Sequence, residues 1–160
     1  MRSDRALLRA VQGWIPVLLR LALGVAFLSA VCDRLGVFGP PGTRNVAWGN
    51  FARFTQYTAQ LNPWAPTDLV PVLAWAATGA EIVFGLALIA GLFTEAFALA
   101  SGALLLLFAA GMTIGTGFKS ALDASVISAA AAAFALSLLG PGRWSVDGLR
   151  RERRRMGGAA

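Results

Sequence analysis

The sequence has no histidine and a single cysteine, Cys32. Without a second thiol there is no internal disulfide and no dithiol redox pair. Zinc, haem and imidazole-based acid–base chemistry are left almost without ligands. Charge is scarce as well. Only 14% of the residues are charged, where a soluble domain carries about a quarter. No catalytic or metal-ligating set is expected, and the chain does not read as an enzyme in its own right.

What is present is apolar. Hydrophobic residues make up 57% of the chain, more than one core of this size needs, so lipid is the natural solvent for the excess. A bilayer core of about 30 Å takes roughly 20 apolar residues in a helix. Four stretches approach that length: Trp14 to Val31, Pro71 to Leu92, Ala96 to Gly115 and Ala121 to Gly140. The expected fold is an all-α membrane protein, with four transmembrane helices in an antiparallel bundle at about 14–32, 69–92, 95–115 and 120–140. One membrane domain over 1–149 is followed by a basic tail, 150–160. The first apolar run reads as a signal anchor that stays, because Val31 is too large for the position before a lipoprotein cysteine and Arg20 breaks the run.

The net charge is +6, and nine of the 14 basic residues lie on the two tails. The positive-inside rule then places both tails in the cytoplasm of a bacterial inner-membrane protein. The run "RRERRR" reads as an anchor on anionic lipid, not as a nucleic-acid site.

The long outer connection changes character along its length. "GVFGPPGTRN" excludes regular structure, whereas 45–61 is amphipathic. Trp48, Phe51, Phe54, Thr55, Thr58 and Leu61 share one face, and Asn50, Arg53, Gln56, Tyr57 and Gln60 the other. This helix is too polar to span, and it is expected to lie across the outer mouth as a lid or as an interfacial anchor. The "FTE" turn makes helices two and three a tight hairpin, with Thr94 as a cap, and Ser120 to Asp123 fits a capping box for helix four. Gly111-x-x-x-Gly115 is a close-packing pattern that leaves a homo-oligomer open.

Glu81 lies at the centre of the second apolar run. A charge at mid-bilayer costs about 3 kcal/mol, so it must face the bundle, where Ala77, Thr78 and Gly85 leave room. Arg20 is the expected partner, at a depth differing by about 8 Å. The pair, with Thr78, is either a register device or a ligand-binding site open to the outer side. Asp33, Arg34, Lys119 and Asp123 form a candidate outer rim, with helix termination, snorkelling and capping as the plain alternatives.

Three pieces carry a family resemblance: "LRLALGVAFLSAVCDRLG", "ATGAEIVFGLALIAGLFT" and "GFKSALDASVISAAAAAFALSLLGPGRWSVDGL". Together with "VAWGNFARFTQYTAQLNPWAP", they resemble the DoxX family of small four-helix bacterial membrane proteins, in its long-outer-loop branch. The resemblance implies a link to redox metabolism, as in subunits of thiosulfate:quinone oxidoreductase or in oxidant defence. It also implies Arg20 and Glu81 as the polar positions, while "FTE" lacks the basic residue usual after helix two. Two functions are then expected. One is a non-catalytic subunit or adaptor for a soluble or membrane redox partner in redox, oxidative-stress or sulfur metabolism. The alternative is binding or transport of a quinone, lipid or sulfur compound at Arg20 and Glu81, with quinone the one candidate cofactor.

Overall fold

The computed structural model describes the backbone of residues 2–150 and the side chains of 13–150; the side chains of Arg2, Arg5 and Arg9 and nearly all of the basic tail lie outside the described residues. Among the described residues every regular element is helical: α1 (Arg2–Arg34), α2 (Phe51–Leu61), α3 (Val70–Ala90), α4 (Thr94–Thr116), α5 (Phe118–Asp123) and α6 (Val126–Leu139), with residues 146–150 helical as well. Among the described residues three segments are long and apolar enough to cross a membrane: Gly13–Arg34, Val70–Ala90 and Thr94–Thr116. Their outward faces carry large apolar side chains such as Leu18, Val72, Val83 and Leu107, all exposed. Lipid is the solvent these faces suit.

The expected fourth span is not one helix. Ser125 takes a left-handed backbone, φ 55°, and breaks the segment into α5 and α6. With 14 residues, α6 is about 21 Å long, short of the ~30 Å hydrocarbon layer. The capping box fails with it. Ser120 lies inside α5, and Asp123 pairs with Lys119 one turn back instead of closing a helix start.

α1 packs along α3 and α4 along α6, with α3–α4 and α1–α6 contacts joining the pairs. Leu23, Phe27, Leu88, Ala98, Leu105, Ala130, Ala133 and Leu136 form the shared core. Glycine sets the spacing of α1 and α3. A Cβ on Gly24 would come within 2.8 Å of the Gly85 carbonyl, and one on Gly85 within 3.1 Å of the Gly24 carbonyl. The backbones touch there, as small residues permit between apolar helices. This contact fixes the antiparallel register of the two spans.

α2 begins at Phe51, later than the pattern from Asn45 suggested. Asn50 is the cap, its side chain accepting the Arg53 N–H at 2.9 Å, while Asn45 is a left-handed turn residue. Phe54 and Thr58 are buried beneath α2, Phe51 stacks on Trp75 at 4.1 Å, and Arg53 is exposed. The C-terminal end of α2 rests on α4, where a Cβ on Gly115 would sit 2.2 Å from the Gln60 carbonyl oxygen. The Gly111-x-x-x-Gly115 surface is thus occupied by the chain's own α2.

Candidate functional site

Two polar sites lie near opposite ends of the helices. At the end where α1 leaves for the long connection, Arg34 reaches Glu81 of α3. Arg34 Nη2 donates to Glu81 Oε1 at 2.9 Å, and Nη1 donates to Thr78 Oγ1 at 3.1 Å while pairing with Glu81 Oε2. Both charged side chains are only 4% exposed. Thr78 passes its own proton to the Ala74 carbonyl at 2.8 Å, so it is free to accept from the guanidinium. Above the pair lies an aromatic cover. The Arg34 guanidinium is 3.8 Å from the Phe54 ring centroid and 5.2 Å from that of Trp48. Cation–π contacts of this kind are worth up to about 2 kcal/mol when desolvated.

Next to it, Asp33 holds the connection down. Its Oδ2 accepts the N–H groups of Ala47 and Trp48 at 3.1 and 3.0 Å. That draws Trp48 back over α1. The return is tight at Gly49, φ 68°, where a Cβ would strike the Pro40–Pro41 backbone within 2.7 Å. Asp33 and Arg34 are therefore buried organisers. Lys119 and Asp123 do not join them; they pair with each other and are 84% and 64% exposed. The four residues do not ring one mouth.

Arg20 is elsewhere, and its expected pairing with Glu81 is overturned. It is 1% exposed and donates from Nη2 to the carbonyls of Arg143 and Trp144 at 3.0 and 3.1 Å. Register and side-chain direction explain the outcome. Measured from the Gly24–Gly85 contact, Glu81 is about 9 Å along the axis from Arg34 and about 12 Å from Arg20. Helical side chains also lean toward the helix N-terminus. On α1 that tilt carries Arg34 toward Glu81 and Arg20 away from it. The lean itself is a general property of helices, but it favours Arg34 only once the Gly24–Gly85 register is known.

Around Arg20 a second polar cluster closes the other end. Asp147 accepts the N–H groups of Phe93 and Thr94 at 3.0 and 2.8 Å and the Thr94 hydroxyl at 3.0 Å, capping α4. Its own N–H donates to the Gly91 carbonyl at 3.0 Å. Thr94, read as the cap, is instead the residue capped. Burial pushes the Asp147 carboxyl up, but these donors and Arg150 outweigh it and hold it below the usual aspartate value. Gly91 makes the room: at φ 66°, a Cβ there would lie 1.7 Å from Arg20 Nη1. Sequence reading missed the carbonyls that Arg20 bonds, the Asp147 cap and the room made by Gly91, because all lie far along the chain from Arg20.

An open recess on the outer face of α2 is lined by Ala47, Trp48, Arg53, Gln56, Tyr57 and Gln60. Burial pushes the Tyr57 phenol up. Glu81 is not part of this lining; it is buried, with Arg34 against it and the Phe54 ring over that guanidinium. Among the described residues no three metal-ligating side chains come together. Cys32 is a free, half-buried thiol.

No curated protein and no solved structure matches the chain. A family does match, over residues 12–125, and it is not DoxX but the one described as methylamine utilisation protein MauE. That span stops before "GPGRWSVDG", one of the pieces on which the DoxX resemblance leaned. An arginine in helix one and a glutamate in helix two are features that different small helical membrane proteins can share, since a buried charge in any such bundle needs a partner. With three apolar spans and a match across most of its length, the chain is a membrane protein of the MauE family.

Proposed function

We propose that this protein is a non-catalytic membrane subunit or adaptor that supports the redox system of methylamine utilisation. One observation carries the reading beyond the family. The charged side chains of the first two spans are all engaged within the chain: Arg20 on backbone carbonyls, Asp33 on backbone amides, and Arg34 on Glu81. Buried groups with partners inside the chain hold a scaffold together. The same closure weakens the alternative of quinone, lipid or sulfur-compound binding at Glu81. α5 and α6 together complete a fourth crossing in this reading. The segment after α6 contacts the start of the Gly13–Arg34 span, and the arginine excess of the two tails supports a cytoplasmic position for that end in an inner-membrane protein. The long connection and α2 then face outward, where a soluble redox partner can dock.

The test is a deletion in the native host grown on methylamine as sole nitrogen source, with the tagged full chain restored on a plasmid. Growth should fail in the deletion and return with the chain. A methylamine-oxidising or electron-accepting protein should co-purify from native membranes. Unimpaired growth together with no such protein in the eluate would end the proposal.

A further inference from the structure

The end of the molecule that carries Arg20 shows a second built surface. Trp144 is 77% exposed and sits in a left-handed backbone conformation, φ 50°. Side chains rarely adopt that conformation, because Cβ crowds the following carbonyl. Arg20 holds it there, by its bonds to the Arg143 and Trp144 carbonyls. The exposed indole meets Trp14 edge to face, with centroids 4.7 Å apart. Arg143 lays its stem along α1, its Cδ 3.3 Å from where a Gly13 Cβ would be, and its guanidinium is 6.0 Å from the Trp14 ring. Across the same end Arg150 lies 5.4 Å over the ring of Phe93, itself 60% exposed. Of the carboxylates at this end, Asp147 accepts the Phe93 and Thr94 amides and also feels Arg150, and Glu95 lies toward Gly140.

We propose that this end binds the headgroups of anionic phospholipids, with Arg143 and Arg150 as phosphate-facing cations, Trp14 and Trp144 as interfacial anchors, and Arg20 as the positioning residue. In water, a strained and exposed indole gains only its edge-to-face contact with Trp14. At the boundary between headgroups and acyl chains the ring is half-buried and its N–H stays wet, the setting tryptophan favours. The Arg143 guanidinium stands beside the Trp14 ring and that of Arg150 over the exposed Phe93 ring, the aromatic level at which anionic headgroups lie. The backbone at Arg143 and Trp144 is fixed from inside by a buried arginine, which makes the surface a preformed site and not a loose charged tail. The proposal rests on the membrane reading alone and is independent of any role in methylamine utilisation.

The experiment uses the full chain in nanodiscs of phosphatidylcholine with and without phosphatidylglycerol. It reads phosphatidylglycerol retained after delipidation and the thermal shift that this lipid produces. Each arginine near the surface should contribute about a five-fold gain in affinity. Arg143→Gln with Arg150→Gln should therefore cut retention well over ten-fold, whereas Arg53→Gln, on α2, should leave it unchanged. Arg143→Lys should keep most of it. Arg20→Gln should lower retention without removing a surface charge. If the glutamine variant proves too unstable to purify, the wild-type shift in high salt decides, and it should collapse by screening. Equal retention in the double variant, equal loss with Arg53→Gln, or a salt-insensitive shift would overturn the proposal.

Discussion

Glu81 and Arg34 should behave as one energetic unit. Each side chain is 4% exposed, and they share a direct hydrogen bond and an ion pair, with Thr78 and the Phe54 ring as further partners of the guanidinium. Removing one member leaves a buried charge without its counter-charge, a loss of about 3–5 kcal/mol. Glu81→Ala falls at the lower end, because Thr78 and Phe54 still hold the guanidinium. Arg34→Met strands a carboxylate and also removes the contact with Phe54, so it costs at least as much. The double variant removes both charges and should cost about as much as either single, leaving a coupling of about 3 kcal/mol. Unfolding by sodium dodecyl sulfate titration in mild detergent, followed by circular dichroism, measures all four proteins of the cycle. A parallel cycle on Arg20 and Glu81 should be additive within about 0.5 kcal/mol, since the two share no partner. Additive losses for Arg34 and Glu81, or a larger coupling for Arg20 and Glu81, would refute the assignment.

Three further outcomes follow from the geometry. Asp147 is held below the usual aspartate value of 3.8, so its stabilisation is complete above that value and is lost as pH falls through the lower folded value. The protection factors of the Phe93 and Thr94 amides against hydrogen exchange, taken relative to the intrinsic rate at each pH, should fall in acid in the wild type, and in Asp147→Asn they should be low already at neutral pH with a flatter pH profile. Gly91→Ala should unfold the protein in far less denaturant than Gly117→Ala. Both glycines have positive φ, but only at Gly91 does the new Cβ meet Arg20 Nη1, whereas nothing lies within 4 Å of it at Gly117. Gly115→Ala should lift α2, because its Cβ would strike the backbone of Gln60 and Leu61 within 2.6 Å. Faster protease cleavage in the 50–62 segment would report it, and Gly79→Ala, with open space at its Cβ, should cleave at the wild-type rate.

Much of the architecture follows from the order of residue types alone. Apolar runs separated by a prolonged polar connection and a three-residue turn dictate membrane helices and their sequence, because the backbone in lipid has to satisfy itself locally. The amphipathic face of α2 was legible for the same reason: Phe54 and Thr58 recur at helical spacing, and both are buried. Glu81 announced itself as a group needing a partner. Which partner it has was decided in three dimensions. The contact of Gly24 with Gly85 sets how far α3 slides along α1, and the lean of side chains on α1 sends Arg34 toward the carboxylate and Arg20 toward residues 143 and 144. The break at Ser125 and the capping of α4 by Asp147 are of the same kind. Local pattern specifies which backbone groups bond within a helix. The long-range pairing of charges depends on helix register, and register is a property of two packed surfaces that no single stretch of sequence contains.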